Sequence, residues 1–353
     1  MEMYEFQWPT KTQFGSGLID NIDEHIAATD HARRMFLVAP AEDWIQPLLQ
    51  RLVIQFQASG WKEIQTFAEV EPNPSWETVV SGTKRAKEMN ADAVLAIGGG
   101  SSMDAGKVIA DRCEANFLCT VPTTAGTGGE ISPWAVISNL ETREKDSLVA
   151  KWPDLALLDP VLTLTVPKKT TLFTGIDAFI HGLEAYCSSA ANSITDALAL
   201  SGMELIATSL RRVVEDGAQL EARSAMLEGS LLTGAAMLHA GLGLMHAIGN
   251  VVGGLYHHLP HGLILMQCMD AVLEHNRPEI EVKLSQIQPI LDQIHKDVDA
   301  LLQQLTLPEL EIHLADLATL AQRALENVNA KTNPQHTTRE EIEAIVRKSF
   351  AIQ

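Results

Sequence analysis

The chain is short of cysteine and of positive charge, and each shortage removes a class of protein. Four cysteines in 353 residues, Cys113, Cys119, Cys187 and Cys268, form no CxxC pair and no dense framework. They read as reduced thiols of a cytoplasmic protein rather than as a disulfide scaffold. Lys and Arg number 26 against 45 Asp and Glu, giving a formal charge of -19, and no basic block interrupts the acidic surface. Nucleic acid and anionic membrane are therefore not expected as partners. The segment Met1 to Pro9 lacks a basic region followed by an apolar core, so no secretory signal is expected. Hydrophobic residues at 46% and charged residues at 20% are ordinary for a globular protein, and the length suits two domains with a core each.

The most informative absence lies inside the chain. From Gly229 to Met269 there is no Asp, Glu, Lys or Arg, yet His239, His246, His257, His258 and His261 all fall within that run. Its glycines and histidines, with Asn250 and Pro260, argue for packing inside a globular protein and against a membrane span. A segment that excludes charge but keeps imidazoles folds inward with those rings in use. A second segment supplies a matching half-site. Asp177 and His181 stand four apart in the run Leu172 to Tyr186, which reads as a helix, and positions i and i+4 share one face. Asp177, His181, His246 and His261 thus form a candidate ligand set. One carboxylate and three imidazoles suit Fe(II), Zn(II) or Mn(II), and ligand type does not choose among them. His246 and His261 flank Gly249 to Gly254, read as a bend that folds the segment back. His239 is read as core. His257 and His258 lie on a loop beside the ion, where a substrate-facing role competes with plain surface exposure.

Organisation along the chain is clear from its periodicity. Met35 to Ala39, Ile64 to Ala68, Ala93 to Ile97 and Phe117 to Val121 read as buried strands, with helical patterns from Asp43 to Ser59 and from Ser75 to Asn90 between them. Strand alternating with helix means a parallel sheet. Beyond Pro167 strand-like runs stop. Thr195 to Val214, Leu220 to Leu238, Glu279 to Gln304, Leu314 to Asn327 and Thr338 to Phe350 read as helices. The expected architecture is an α/β Rossmann-like domain over residues 1–165 and an all-α domain over residues 166–353, with a hinge at Asp159 to Pro167.

Two loops at strand ends point to a nucleotide. Gly98-Gly-Gly-Ser-Ser102, continuing through Asp104 to Lys107, follows a buried strand and opens a helix. Glycines there let the backbone approach a pyrophosphate, and the helix start supplies positive dipole. It departs from the usual GxGxxG fingerprint, because Met103 stands where a third glycine belongs. Pro122 to Glu130, rich in Thr and Gly, follows a neighbouring strand, and two such loops define the crevice where open α/β sheets bind ligands.

These motifs together resemble the iron-dependent (group III) alcohol dehydrogenases, relatives of glycerol dehydrogenase and dehydroquinate synthase. The resemblance runs nearly end to end, through Pro9 to Gly15, Glu71 to Pro74, Gly98 to Lys107, Pro122 to Ile137, Asp159-Pro160, Gly175 to Ala178 with His181, Leu259 to Gly262 and Thr332 to Pro334. It implies ion coordination by Asp177, His181, His246 and His261. It also implies NAD or NADP contacts from Asn73, Gly99, Gly100, Ser101, Thr123, Thr124 and Lys145. Glycerol dehydrogenases generally lack the equivalent of His181, so its presence favours the alcohol dehydrogenase branch. There are three departures. Asn250 replaces a histidine that many relatives carry four residues after the third ligand, the interval from His246 to His261 is one residue longer than expected, and Val38 to Ala41 offers no acid for the ribose hydroxyls, leaving Glu42 or Asp43 to reach them. His257, His258 and Asn250 are accordingly the candidate catalytic residues.

The implied activity is hydride transfer between a nicotinamide and a small aldehyde or primary alcohol, with imidazoles near the opening favouring a phosphonate-, sulfonate- or carboxylate-bearing aldehyde. Polyol dehydrogenase and maleylacetate-type reductase are the near alternatives, and a dehydroquinate synthase-like lyase the distant one. A homodimer or larger homo-oligomer is expected on the same resemblance.

Overall fold

The computed structural model describes residues 3–26, 33–142 and 144–352. It divides into two compact units, one comprising Gln7–Thr124 and Gly129–Leu164, the other Met1–Phe6, Ala125–Gly128 and Thr165–Gln353. The second unit takes in two short pieces that a division at residue 165 would assign to the first.

The first unit is a parallel sheet sandwiched by helices. Its strands are β1 (Lys11–Phe14), β2 (Arg34–Pro40), β3 (Glu63–Val70), β4 (Ala93–Gly98), β5 (Phe117–Pro122), β6 (Trp134–Asn139), β7 (Glu144–Val149) and β8 (Leu155–Leu158). Six of them pair in the order β1-β8-β5-β4-β2-β3, every neighbour parallel, while β6 and β7 form a separate antiparallel pair. The helices are α1 (Ile22–His25), α2 (Gln46–Ala58), α3 (Trp76–Glu88) and α4 (Gly100–Arg112). Strands covered on both faces become continuous apolar runs, and β2 and β4 show why. Phe36, Val38, Val94 and Ala96 enter one core with Val108 and Ile109 of α4, whereas Met35, Leu37, Leu95 and Ile97 enter another with Leu49, Leu52 and Phe56 of α2. Each such side chain contributes roughly 1.5–3 kcal/mol when fully buried, so the two-residue alternation fixes the register. Ser75 caps α3, accepting the N–H of Thr78 at 3.3 Å. The chain leaves β2 toward β3 but leaves β4 toward β5, so the strand order reverses between β2 and β4. Open α/β sheets bind ligands at such a reversal.

The second unit is built from α5 (Lys168–Cys187), α6 (Ser193–Glu215), α7 (Leu220–Ala240), α8 (Leu244–Leu255), α9 (His261–Leu302), α10 (Leu314–Glu326) and α11 (Arg339–Ser349), with a two-residue parallel pair, β9 (Glu311–Ile312) and β10 (Ala351–Ile352). Helix α5 is buried along nearly its whole length from Thr171 to Cys187. Gly249 to Gly254 is not a bend but part of α8, and the turn lies at Tyr256 to Pro260. Gly249 is needed for packing, since a Cβ there would lie 2.6 Å from Leu265 Cδ2. Helix α9 begins at His261, well before Glu279, and runs through Pro278 and Pro289. Buried Ile280, Leu284, Ile287, Leu291 and Ile294 hold it on the core, outweighing the ~3 kcal/mol that an interior proline costs. No single helix among the described residues is long and apolar enough to cross a membrane.

Candidate functional site

In the first unit the two loops meet. Gly98 ends β4 with φ of 147°, a region open to glycine alone, and a Cβ there would lie 2.5 Å from Ser102 Oγ and 3.2 Å from Pro40 Cδ. Thr123 donates its N–H to the Gly98 carbonyl at 2.8 Å. A Cβ on Gly99 would lie 3.3 Å from Thr124 Oγ1, so bare backbone and hydroxyl face each other. Gly100 opens α4, whose first-turn N–H groups and dipole favour an anion. Asn73, Ser101 and Lys145, which lie on three separate segments, are joined by hydrogen bonds. The Asn73 N–H donates to Ser101 Oγ at 3.2 Å and Lys145 Nζ to Asn73 Oδ1 at 2.9 Å, with Asn73 held at a left-handed φ of 55°.

Asp104 is placed differently. Its carboxylate accepts the Val136 N–H at 3.0 Å and pairs with Lys107 Nζ at 2.9 Å, so it anchors β6 to α4. Lys107, fully buried, also donates to the carbonyls of Gly129 and Trp134. Beside this strut lies buried Glu130, whose carboxyl burial pushes up to about 7 against an ordinary 4.5. A raised folded value means that the stability this group contributes is complete below about 4.5 and lost as pH rises through about 7. Glu130→Gln should therefore flatten the decline in melting temperature between pH 5 and 7. A wild-type profile that is already flat there would refute the assignment. Glu42 accepts from the Trp44 indole N–H.

In the second unit Asp177 gathers three imidazoles. Its Oδ1 lies 3.4 Å from His246 Nε2, 3.7 Å from His181 Nε2 and 3.8 Å from His261 Nε2. The His181 and His246 rings stack at 4.5 Å, and those of His246 and His261 are 5.6 Å apart. Asp177, His181 and His246 are buried, while His261 is half-buried at the start of α9. Burial alone would raise the Asp177 carboxyl, but the surrounding His181, His246 and His261 hold it well below the usual carboxylate range. Burial lowers His181 to about 4, so its ring is neutral at pH 7 with a lone pair to offer. For His246 burial acts in the same sense, but hydrogen bonds to Asp177 and Glu184 overcome it and lift the group to about 9.

The donor set fits a divalent ion. Only the His246 nitrogen lies within hydrogen-bond reach of Asp177 Oδ1, so hydrogen bonding does not account for the approach of His181 and His261 at 3.7 and 3.8 Å. Ligands about 2.1 Å from a tetrahedral centre stand about 3.4 Å apart, close to the separations around Asp177 Oδ1.

The remaining sequence candidates are not part of this group. His257 and His258 are exposed on the turn between α8 and α9, and neither joins the ligating atoms around Asp177. That turn is tied down by Tyr256, whose hydroxyl donates to Asp316 Oδ2 at 2.8 Å and accepts the His313 N–H at 2.9 Å. Asn250 is half-buried on α8, one turn beyond His246. His239 is half-buried and packs against Phe6, with ring centroids 4.1 Å apart and the planes tilted by 32°. Glu184 was not singled out from the sequence, yet it holds His246 Nδ1 at 2.6 Å. Its spacing, three beyond His181 and seven beyond Asp177 on the same helix, was the available signal.

Two family profiles cover most of the chain: residues 9–160 match the iron-containing alcohol dehydrogenases, and residues 171–350 match the C-terminal part of the Fe-containing alcohol dehydrogenase family. The chain belongs to that family and is an oxidoreductase. It is 31% identical to alcohol dehydrogenase 4 of Saccharomyces cerevisiae (strain YJM789) over 98% of each chain, and 30% identical to 1,3-propanediol dehydrogenase of Klebsiella pneumoniae over 99% of each. The solved structure of a 1,3-propanediol oxidoreductase shares the fold with a TM-score of 0.88 at 29% identity, covering 99% of this chain and 100% of that one.

Proposed function

We propose that the protein is a metal-dependent, NAD- or NADP-linked alcohol dehydrogenase that interconverts a small aldehyde and its primary alcohol. The convergence of three imidazole Nε2 atoms on Asp177 Oδ1, in a chain of this family, carries the reading. Asp177, His181, His246 and His261 would hold a divalent ion, Fe(II) first with Zn(II) and Mn(II) as alternatives, and that ion would supply Lewis acidity toward the substrate oxygen. The nicotinamide supplies the hydride chemistry.

The chain's own residues do the rest. Gly98, Gly99 and Gly100 leave the backbone bare for a pyrophosphate, and Thr123 and Thr124 line the adjacent loop. Asn73, Ser101 and Lys145 form a linked polar edge beside it, with Lys145 bringing positive charge to an otherwise acidic protein. His181 presents an unprotonated ring at neutral pH. His257 and His258, being exposed, can exchange a proton with solvent, and Asn250 brings an amide to the same helix as His246. Imidazoles at an opening would favour an anionic aldehyde. A homodimer and a cytoplasmic location go with this reading.

Chelation followed by add-back of Fe(II), Zn(II) and Mn(II), assayed with NADH and NADPH against neutral and anionic aldehydes, tests it. Activity should vanish on chelation and return with a divalent ion, with net consumption of reduced nicotinamide. Full activity in the metal-free protein would refute the proposal, and preference for neutral short-chain aldehydes would remove the anionic one.

A further inference from the structure

Helix α8, which carries His246, has no side-chain cap of its own, because its N-cap residue is Gly243. The first N–H groups of a helix need acceptors, and those of α8 find them on distant parts of the chain. Glu184 Oε1 on α5 accepts from Met245 N–H at 2.6 Å, and Oε2 accepts from His246 N–H at 3.4 Å. Asn333 Oδ1 accepts from Leu244 N–H at 3.3 Å. Asn333 is itself fixed by Asn276, the two amides exchanging hydrogen bonds of 2.9 and 2.8 Å, and by the carbonyl of Gln335 at 2.8 Å. Gly243 is what admits both caps. A Cβ there would lie 2.8 Å from Glu184 Oε1 and 3.0 Å from Asn333 Oδ1.

The same Glu184 carboxylate serves the ring as well as the backbone. Its Oε2 lies 2.6 Å from His246 Nδ1, and a carboxylate oxygen accepts, so Nδ1 keeps its proton and Nε2, which faces Asp177, is the nitrogen left to ligate an ion. We propose that Glu184 is a positioning residue, which sets both the tautomer of His246 and the seat of α8 so that Nε2 is presented to a metal ion. The inference rests on the metal-dependent reading above. It also gives a task to the Asn333 segment, which caps the same turn.

Carboxylate partners of ligating histidines typically raise metal affinity 10- to 100-fold. Glu184→Gln keeps the shape but replaces one acceptor oxygen by a donor NH2, so it cannot accept from Met245 and from the ring together. Zn(II) binding to the full-length chain is measured by competition with a chromophoric chelator for wild type, Glu184→Gln, Glu184→Asp and His246→Ala, with metal-free melting temperatures alongside. Wild type should bind, His246→Ala should not, and the Glu184 variants should dissociate Zn(II) about 10- to 100-fold more readily. Should Glu184→Gln fail to fold, Glu184→Asp, whose shorter arm cannot span both acceptor positions, gives the same readout. Wild-type affinity in either folded variant overturns the proposal even if melting temperature falls, because a merely structural glutamate would change stability and leave affinity alone. Failure of wild type to bind Zn(II), Fe(II) or Mn(II) would instead refute the metal-dependent reading itself.

Discussion

His246→Ala should lower aldehyde turnover by about 1,000-fold or more, while the dinucleotide binds as before. Lewis-acid stabilisation of developing charge is worth several kcal/mol, and each 1.4 kcal/mol is tenfold in rate. His246 is the hub of the cluster: its Nε2 is the ring nitrogen nearest Asp177 Oδ1, its ring stacks on His181, and its Nδ1 is held by Glu184. Truncation leaves Asp177 buried with one fewer partner and Glu184 facing a void. The loop Gly98 to Ser102 belongs to the other compact unit, and neither nucleotide loop shares a residue with α8. Steady-state kinetics, metal content and a fluorescence titration with NADH and NADPH separate the two effects. Turnover within tenfold of wild type would contradict the assignment, and loss of dinucleotide binding would show that the residue acts more broadly than through a metal.

Gly262→Ala should be the most damaging small substitution in the second unit. A Cβ there would lie 2.1 Å from the carbonyl oxygen of Phe173 and 2.8 Å from its carbon, and backbone cannot rotate aside as a side chain does. Helix α9 must shift away from α5, at the upper end of overpacking costs, about 3 kcal/mol. The shift would fall on the candidate ligands, since His261 precedes Gly262 and Asp177 lies four residues beyond Phe173. Thermal melting and metal content of the variant should fall together. A native melting temperature with full metal content would show that the helices do not approach so closely.

The parts of the fold that the sequence revealed are those with local causes. Apolar runs bounded by helical patterns marked β2, β4 and β5, because a strand covered on both faces must be apolar throughout. Asp177 and His181 could be paired on paper because helical spacing is a local rule. Glu184 obeyed the same spacing, yet it escaped notice because its partners, Met245 and His246, lie about sixty residues away and no periodicity reports them. Gly249 to Gly254 looked like a bend since glycine weakens a helix, but close packing against α9 outweighs that propensity. The start of α9 was hidden by Pro278, whose cost the surrounding core absorbs. Asp104 sat inside a loop that reads as a nucleotide cradle, and only the position of Val136 discloses its work as an anchor.

Because the opening turn of α8 is clasped by Asn333, itself held by Asn276, as well as by Glu184, a chain emerging from the ribosome holds Asp177, His181, His246 and His261 long before it can assemble them. Pieces ending short of residue 333 would carry every candidate ligand yet lack part of the scaffold that seats the helix between them.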